Sequence, residues 1–277
     1  MAKILFINPI VREEDDPKHV PMGMAQLAAI AIRDGHEVQI YDHNAWREKE
    51  EQVIKVLRSD AWDLIALGGI TTAYGSIKSL VRLSKKICPN SLISLGGGVL
   101  TSLPREIMTW LPEVDIGFIG ESYVTFPEVL SMIDSKKKEW HKIKGIICKL
   151  DNHQLHISSQ RQLLNNLDQL PYPAYDLFPI EEIYFKNSAM MYSKEGMLAT
   201  RRLDINASIG CSLICRFCYH LGIAGDMKYK KDKNGNVINV AFDSPGNYSR
   251  TIRYNSPEYI VKLAKHLYDH NNVNFIY

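Results

Sequence analysis

The chain has 277 residues, with 33 Lys and Arg against 31 Asp and Glu for a formal charge of +2, so no basic excess marks a nucleic-acid surface. Hydrophobic residues make up 45% and charged residues 23%, which excludes a disordered or fibrous chain and suits one large or two modest domains. The longest apolar runs are strand-sized, short of the ~20 residues of a membrane span, and residues 1–8 hold no signal-peptide core; a cytoplasmic protein without a membrane or nucleic-acid partner is expected.

From residue 3 to about 135, short apolar runs alternate with helical patterns. Strands are predicted at Lys3–Asn8, Glu37–Tyr41, Asp63–Gly68, Leu92–Leu95 and Asp115–Ile119. Helices are predicted between them at Met22–Arg33, Trp46–Arg58, Gly75–Ile87 and Leu103–Trp110, with Phe126–Ile133 after the last strand. The pattern within Val53, Ile54, Val56 and Leu57 has a period close to 3.6. Strands alternating with helices of this length make a parallel sheet covered on both faces. Gly35 stops the first helix, and Gly120 closes the fifth strand. Five such units make an α/β, flavodoxin-like (Rossmann-like) fold.

In such a fold ligands bind beyond the carboxyl ends of the strands, where strand order reverses. The loops on that edge are unusual. Pro9–Pro21 is far longer than the usual ~4–6-residue connection. Strand three runs into Gly68-Gly69-Ile70-Thr71-Thr72, strand four into Gly96-Gly97-Gly98, and strand five into Gly120-Glu121-Ser122. Glycine at a strand end is also ordinary turn chemistry, but it lets backbone approach a large ligand closely. None of these loops is a GxGxxG fingerprint, which disfavours a nicotinamide or flavin dinucleotide.

The order of these pieces resembles the cobalamin-binding domain at the front of B12-dependent radical S-adenosylmethionine proteins. The matching segments are Ile7-Asn8-Pro9, Pro21-Met22-Gly23, Gly35-His36-Glu37-Val38, Leu95-Gly96-Gly97-Gly98 and Gly120-Glu121. The resemblance implies a domain over residues 1–140 with a corrinoid over the strand-end edge. Gly69, Thr71 and Thr72 would face the corrin, Gly96, Gly97 and Gly98 would leave room for its nucleotide tail, and Gly120 and Glu121 would complete the contacts. The Asp-x-His-x-x-Gly motif that supplies a lower cobalt ligand in mutases is absent, and His19 and His43 read more simply as solvated loop histidines.

Residues 141–200 lose the α/β rhythm and read as a connector. Gly145–Leu150 suggests one strand of a small hairpin, and Leu170–Pro179 carries three prolines that favour a stiff extended segment. The proline-and-aromatic pattern resembles the connector between the two domains of the same family.

Function is most legible in Gly210-Cys211-Ser212-Leu213-Ile214-Cys215-Arg216-Phe217-Cys218-Tyr219. The remaining cysteines, Cys88 and Cys148, stand apart among apolar residues. Cys-x3-Cys-x2-Cys spacing permits one buried helical face of thiols or a metal-wrapping loop. Gly210 before the trio, a predicted strand over Ile205–Ile209 and the lack of a continuing stripe favour metal. Structural zinc takes four closed ligands, for which His220 is a candidate fourth. Three thiolates on a 4Fe–4S cluster would instead leave one iron open for substrate or cofactor.

Cys-x3-Cys-x-aromatic-Cys resembles the signature of radical S-adenosylmethionine enzymes, with Phe217 at the aromatic position. The resemblance implies that Cys211, Cys215 and Cys218 hold a 4Fe–4S cluster after the first strand of a partial (β/α)6 barrel over residues 201–277. The open iron would chelate S-adenosyl-L-methionine, with Phe217 and Tyr219 near that cofactor. The implied reaction is methyl transfer to an unactivated carbon of a small-molecule substrate, through a 5′-deoxyadenosyl radical and with cobalamin as methyl carrier. It also implies an external one-electron reductant of the flavodoxin or ferredoxin type. Oxidative cyclisation or rearrangement with the same cofactors is the near alternative; an iron–sulfur redox or sensor module and a zinc-stabilised interaction protein are rivals of other classes.

The lysine-rich 228–233 stretch reads as a loop or hairpin insertion, solvated or acting as a lid. Ser256-Pro257-Glu258 signals an N-cap with proline at N1, opening a helix over Glu258–Asp269, and Val273–Tyr277 begins another strand. Residues 205–277 are too few for a six-stranded barrel, so the sequence is expected to be the N-terminal part of a longer, catalytically complete protein.

Overall fold

The computed structural model describes residues 1–150, 154–187, 194–211, 228–241 and 252–277. The first five strands are β1 (Lys3–Asn8), β2 (Glu37–Asp42), β3 (Leu64–Gly68), β4 (Leu92–Gly96) and β5 (Ile116–Phe118), all parallel. Between and after them run α1 (Met22–Arg33), α2 (His43–Trp46), α3 (Glu50–Leu57), α4 (Tyr74–Ile87), α5 (Gly97–Ser102), α6 (Pro104–Trp110) and α7 (Thr125–Asp134).

Side chains of β1 alternate between two cores because successive strand residues point to opposite faces. Leu5 and Ile7 pack with Val53, Leu57, Ile77 and Val81 under α3 and α4. Ile4 and Phe6 pack with Ala28, Ala31, Phe126 and Val129 under α1 and α7. Covered on both faces, β1, β3, β4 and β5 are near-continuous apolar runs, whereas the edge strand β2 is exposed at Glu37 and Gln39. Each fully buried aliphatic contributes about 1.5–3 kcal/mol.

The sheet has seven strands in the order β2-β1-β3-β4-β5-β6-β7, two more than the sequence reading assigns to it. The extra pair, β6 (Ile146–Lys149) and β7 (Leu155–Ile157), is the hairpin expected in the connector, but it joins β5 antiparallel through Ile116↔Cys148 and Phe118↔Ile146. The pairing buries Ile146, Ile147 and Cys148 completely, so the sheet runs past residue 140. Burial also pushes the Cys148 thiol up to about 11, and Cys88 donates to the Leu57 carbonyl at 3.2 Å. Neither is placed for chemistry.

The connector crosses α1. Ala174 N–H donates to the Ala25 carbonyl at 3.0 Å, and Gln26 Nε2 donates to the Pro171 carbonyl at 2.8 Å. It is less extended than its prolines suggest, since Tyr175–Leu177 forms a 3-10 turn and Ile180–Tyr184 a π turn. The short helices α8 (Phe185–Asn187) and α9 (Lys194–Leu198) follow.

Beyond residue 200, β8 (Arg202–Leu203) pairs parallel with β13 (Phe275–Ile276), with α10 (Pro257–Asn271) between them in sequence. This is one β/α/β unit. Ser256 caps α10 by accepting from Tyr259 N–H at 3.1 Å. The strand expected over Ile205–Ile209 is shorter: β9 (Ser208–Ile209) pairs antiparallel with β12 (Arg253–Tyr254). The lysine-rich stretch is a hairpin, β10 (Lys228–Lys231) with β11 (Val237–Ala241). Val240 and Tyr229 join the core of the first domain, and the Ile238 carbonyl accepts from Arg105 Nε at 3.0 Å. No helix among the described residues is long and apolar enough to cross a membrane.

Candidate functional site

The parallel sheet reverses order between β1 and β3, and an open cavity of about 870 Å³ lies beside the loops that leave these two strands. Its lining includes Val11, Arg12, Asp15, His43, Thr72 and Ser79. The volume is that of a site for a sizeable ligand.

The long loop after β1 is tied down by Arg47, whose left-handed backbone (φ 52°) breaks the helix expected over Trp46–Arg58 into α2 and α3. Its guanidinium donates to the carbonyls of Arg12, Glu13 and Asp15. Two further anchors fix the loop: Ile10 N–H donates to Ser76 Oγ at 3.1 Å and Val11 N–H to Asn44 Oδ1 at 3.0 Å.

Thr71 and Thr72 open a 3-10 turn and are exposed at this edge. Gly69 and Gly97 bring the loops after β3 and β4 together. A Cβ at Gly97 would stand 2.7 Å from the Gly69 carbonyl oxygen and 2.9 Å from its nitrogen, and the Gly97 φ is +79°. Val99 N–H closes the contact on the Gly69 carbonyl at 3.0 Å. Packing between loops thus accounts for Gly97. Gly98 is buried within α5, a helix the glycine run concealed, and Gly96 pairs with Gly68 in the sheet. Gly120 has φ +75° and donates its N–H to Thr101 Oγ1 at 3.0 Å.

Glu121 lies in a buried ion pair. Both of its oxygens meet the guanidinium of Arg253 on β12, and Oε1 also accepts from Leu164 N–H at 3.2 Å. Both side chains are 5% exposed. The carboxylate is thus engaged by Arg253 of β12 and by the Leu164 backbone.

Two more polar links cross from this edge. Asp42, at the end of β2, accepts from Asn8 Nδ2 at 2.7 Å, Ala45 N–H at 3.0 Å and Tyr184 Oη at 2.5 Å. Burial pushes this carboxyl above its ordinary range against those hydrogen bonds. His19 Nδ1 lies 2.9 Å from Asp204 Oδ2, which holds the His19 pKa above its usual value. Asp204 follows β8 and Tyr277 follows β13, so the carboxyl ends of this parallel pair face the loop after β1. His43 lines the cavity, stacked on Tyr41 with ring centroids 5.7 Å apart, and burial lowers its pKa.

The sequence reading missed Asn8, Asp42, Tyr184, Asp204 and Arg253. The local signal was a polar residue ending an apolar strand, as at Asn8 and Asp42, which are register partners.

Of the cysteine cluster, Cys211 lies among the described residues, exposed and directly after Gly210, whose φ is +135°. Cys215, Phe217, Cys218 and Tyr219 lie outside the described residues.

Comparison with known proteins bears on both halves of the chain. Residues 9–130 match the B12 binding domain family. An uncharacterized methyltransferase of Pyrococcus horikoshii is 28% identical over 198 residues, which cover 72% of this chain and 40% of that protein. The cobalamin-dependent S-adenosylmethionine radical enzyme OxsB, solved with aqua-cobalamin, aligns with a TM-score of 0.71 and 16% identity over 99% of this chain and 33% of its own. The radical S-adenosylmethionine methyltransferase TsrM from Kitasatospora setae, solved with cobalamin and a 4Fe–4S cluster, aligns with a TM-score of 0.64 and 13% identity over 98% of this chain and 46% of its own. At these identities the structures establish a common fold, and the chain spans less than half the length of each relative.

Proposed function

We propose that this chain, whose residues 9–130 match the B12 binding domain family, is part of a cobalamin-dependent radical S-adenosylmethionine enzyme that transfers a methyl group to an unactivated carbon of a small molecule. The observation that carries the reading is the conjunction on one chain of that domain with Cys211, Cys215 and Cys218 at Cys-x3-Cys-x2-Cys spacing. The cavity beside β1 and β3 supports it, because a corrinoid needs a large open site at the carboxyl edge and that is where about 870 Å³ of space lies.

Within this reading the cysteine trio holds three irons of a 4Fe–4S cluster and leaves the fourth for S-adenosyl-L-methionine. Thr71 and Thr72 border the corrinoid, and Arg47 keeps the loop after β1 shaped around it. When bound, these groups supply a 5′-deoxyadenosyl radical and a transferable methyl group. The protein aligns the two cofactors and excludes water between the facing carboxyl edges. A flavodoxin- or ferredoxin-type protein supplies electrons, and the enzyme works in the cytoplasm.

The test is anaerobic purification of the protein at its full genomic length. It should release a corrinoid on denaturation, contain iron, and form 5′-deoxyadenosine from S-adenosylmethionine after reduction. Iron without corrinoid would remove the first-domain half of the proposal. Iron without 5′-deoxyadenosine would leave an electron-transfer or sensor module, and zinc in place of iron would remove the radical chemistry.

A further inference from the structure

We propose that the buried Glu121–Arg253 pair is a positioning element that holds the carboxyl edge of the first sheet in register with β9, the strand that runs into Gly210 and Cys211. The proposal rests on the functional reading above and adds to it a device for coupling the two domains.

Glu121 stands directly after Gly120, at the end of β5. Arg253 lies on β12, where its register partner is Ile209 of β9. Ile209 is followed by Gly210 and Cys211. The pair thus connects the edge of the cobalamin-type sheet to the strand that delivers the first cysteine. Leu164 of the connector completes it, donating its N–H to Glu121 Oε1 at 3.2 Å and accepting from Arg253 Nη1 at 2.5 Å. Three separate segments therefore meet on one ion pair.

Energetics favour a role in geometry over one in strength. Two charges that are 5% exposed forfeit most of their hydration, and well-packed apolar residues of similar size stabilise as well or better. What an apolar pair lacks is the forked, directional fit of guanidinium to carboxylate. By contrast, the His19–Asp204 link is solvated on its histidine side, which is 64% exposed.

The experiment uses the protein at its full genomic length, reconstituted with iron, sulfide and aqua-cobalamin, then given S-adenosylmethionine and titanium(III) citrate. Under the proposed function, formation of 5′-deoxyadenosine would draw on the cysteine-held cluster and would need no corrinoid. S-adenosylhomocysteine forms when the sulfonium methyl passes to the reduced corrinoid: the C–S bond breaks with its electron pair left on sulfur, and the corrinoid's pair makes the new bond to carbon. That transfer needs both domains in register. Glu121→Gln and Arg253→Met should each lower S-adenosylhomocysteine per 5′-deoxyadenosine on the order of 100-fold, the scale of an ångström-sized misplacement, while corrinoid and iron contents stay at the wild-type level.

Melting temperatures supply the second readout. Each single variant strands a buried partner and should melt lower, whereas the double variant Glu121→Gln/Arg253→Met strands no charge and should regain most of the loss. Its product ratio should stay low. Recovery of the ratio together with the melting temperature would reduce the pair to a structural contact and overturn the proposal, as would single variants with the wild-type ratio. A wild-type protein that holds no corrinoid, or forms neither product, would instead sink the functional reading and the positioning role with it.

Discussion

At Gly97 the chain has no room for a side chain. Its φ of +79° is strained for any L-residue, and an added Cβ would meet the Gly69 backbone at 2.7 Å. Backbone cannot swing aside as a flexible side chain can. Gly97→Ala is therefore expected to cost about 1–3 kcal/mol, read as a lower urea midpoint with an unchanged slope. A loss under a few tenths of that range would show that the two loops part easily. His19 offers a pH-dependent counterpart. Its hydrogen bond to Asp204 raises its pKa above the ordinary 6.5, so the folded chain binds that proton more tightly than the unfolded chain. The resulting stabilisation is complete below pH 6.5 and fades as pH climbs through the higher folded value. With the histidine 64% exposed, solvent screening keeps it below about 1 kcal/mol. The stability gap between wild type and His19→Gln, followed by urea unfolding, should shrink as pH is raised through this window; a gap that is flat or widens would refute the assignment. At this scale the sequence was partly legible. The glycines and threonines of the strand-end edge stood out by composition, but the role of Glu121 did not, because its partner lies 132 residues away.

Elements were legible where one local pattern decides them. The bounds read for β1 and α1 are those observed, since an apolar run fixes the first and an alanine-rich periodic segment the second. The helix expected over Trp46–Arg58 fails at Arg47, whose side chain serves a distant loop, a demand invisible to periodicity. Residues 97–102 hid a helix behind three glycines. The lysines of the 228–233 stretch suggest a solvated loop or a lid, yet in the hairpin they belong to, Tyr229, Val237 and Val240 join the core under α3 and α4. Capping chemistry, being local, carried through to α10. Ser256 accepts from Tyr259 N–H, and Pro257 occupies the first turn. Ser256→Ala should cost about 1 kcal/mol, seen as a lower melting temperature. Ser256→Asp, which keeps the acceptor, should restore most of it; if it does not, the cap contributes less than this geometry implies.

Across the whole molecule, the two halves of the proposed site were legible to different depths. Three cysteines within eight positions, directly after Gly210, are a local pattern from which a metal is expected, whereas the cavity exists only once β1 and β3 lie side by side and their loops fold over the edge. The cavity at this edge is lined by residues from 10–79, and the cysteine trio is confined to 211–218. Binding of the two groups should accordingly be separable. Replacing Cys211, Cys215 and Cys218 together by Ala should remove iron while leaving the corrinoid content of the full-length protein near that of wild type. Thr72→Trp, which places an indole at the cavity wall where the threonine is exposed, should do the reverse, lowering corrinoid without lowering iron. Absorbance of the released corrinoid and elemental analysis of the same samples measure both at once. Loss of both groups in either variant would mean that the two sites assemble as one, and the picture of independent cofactor sites, on parts joined by polar links and by the apolar cluster of Val20, Ala25, Leu203 and Leu263, would have to be abandoned.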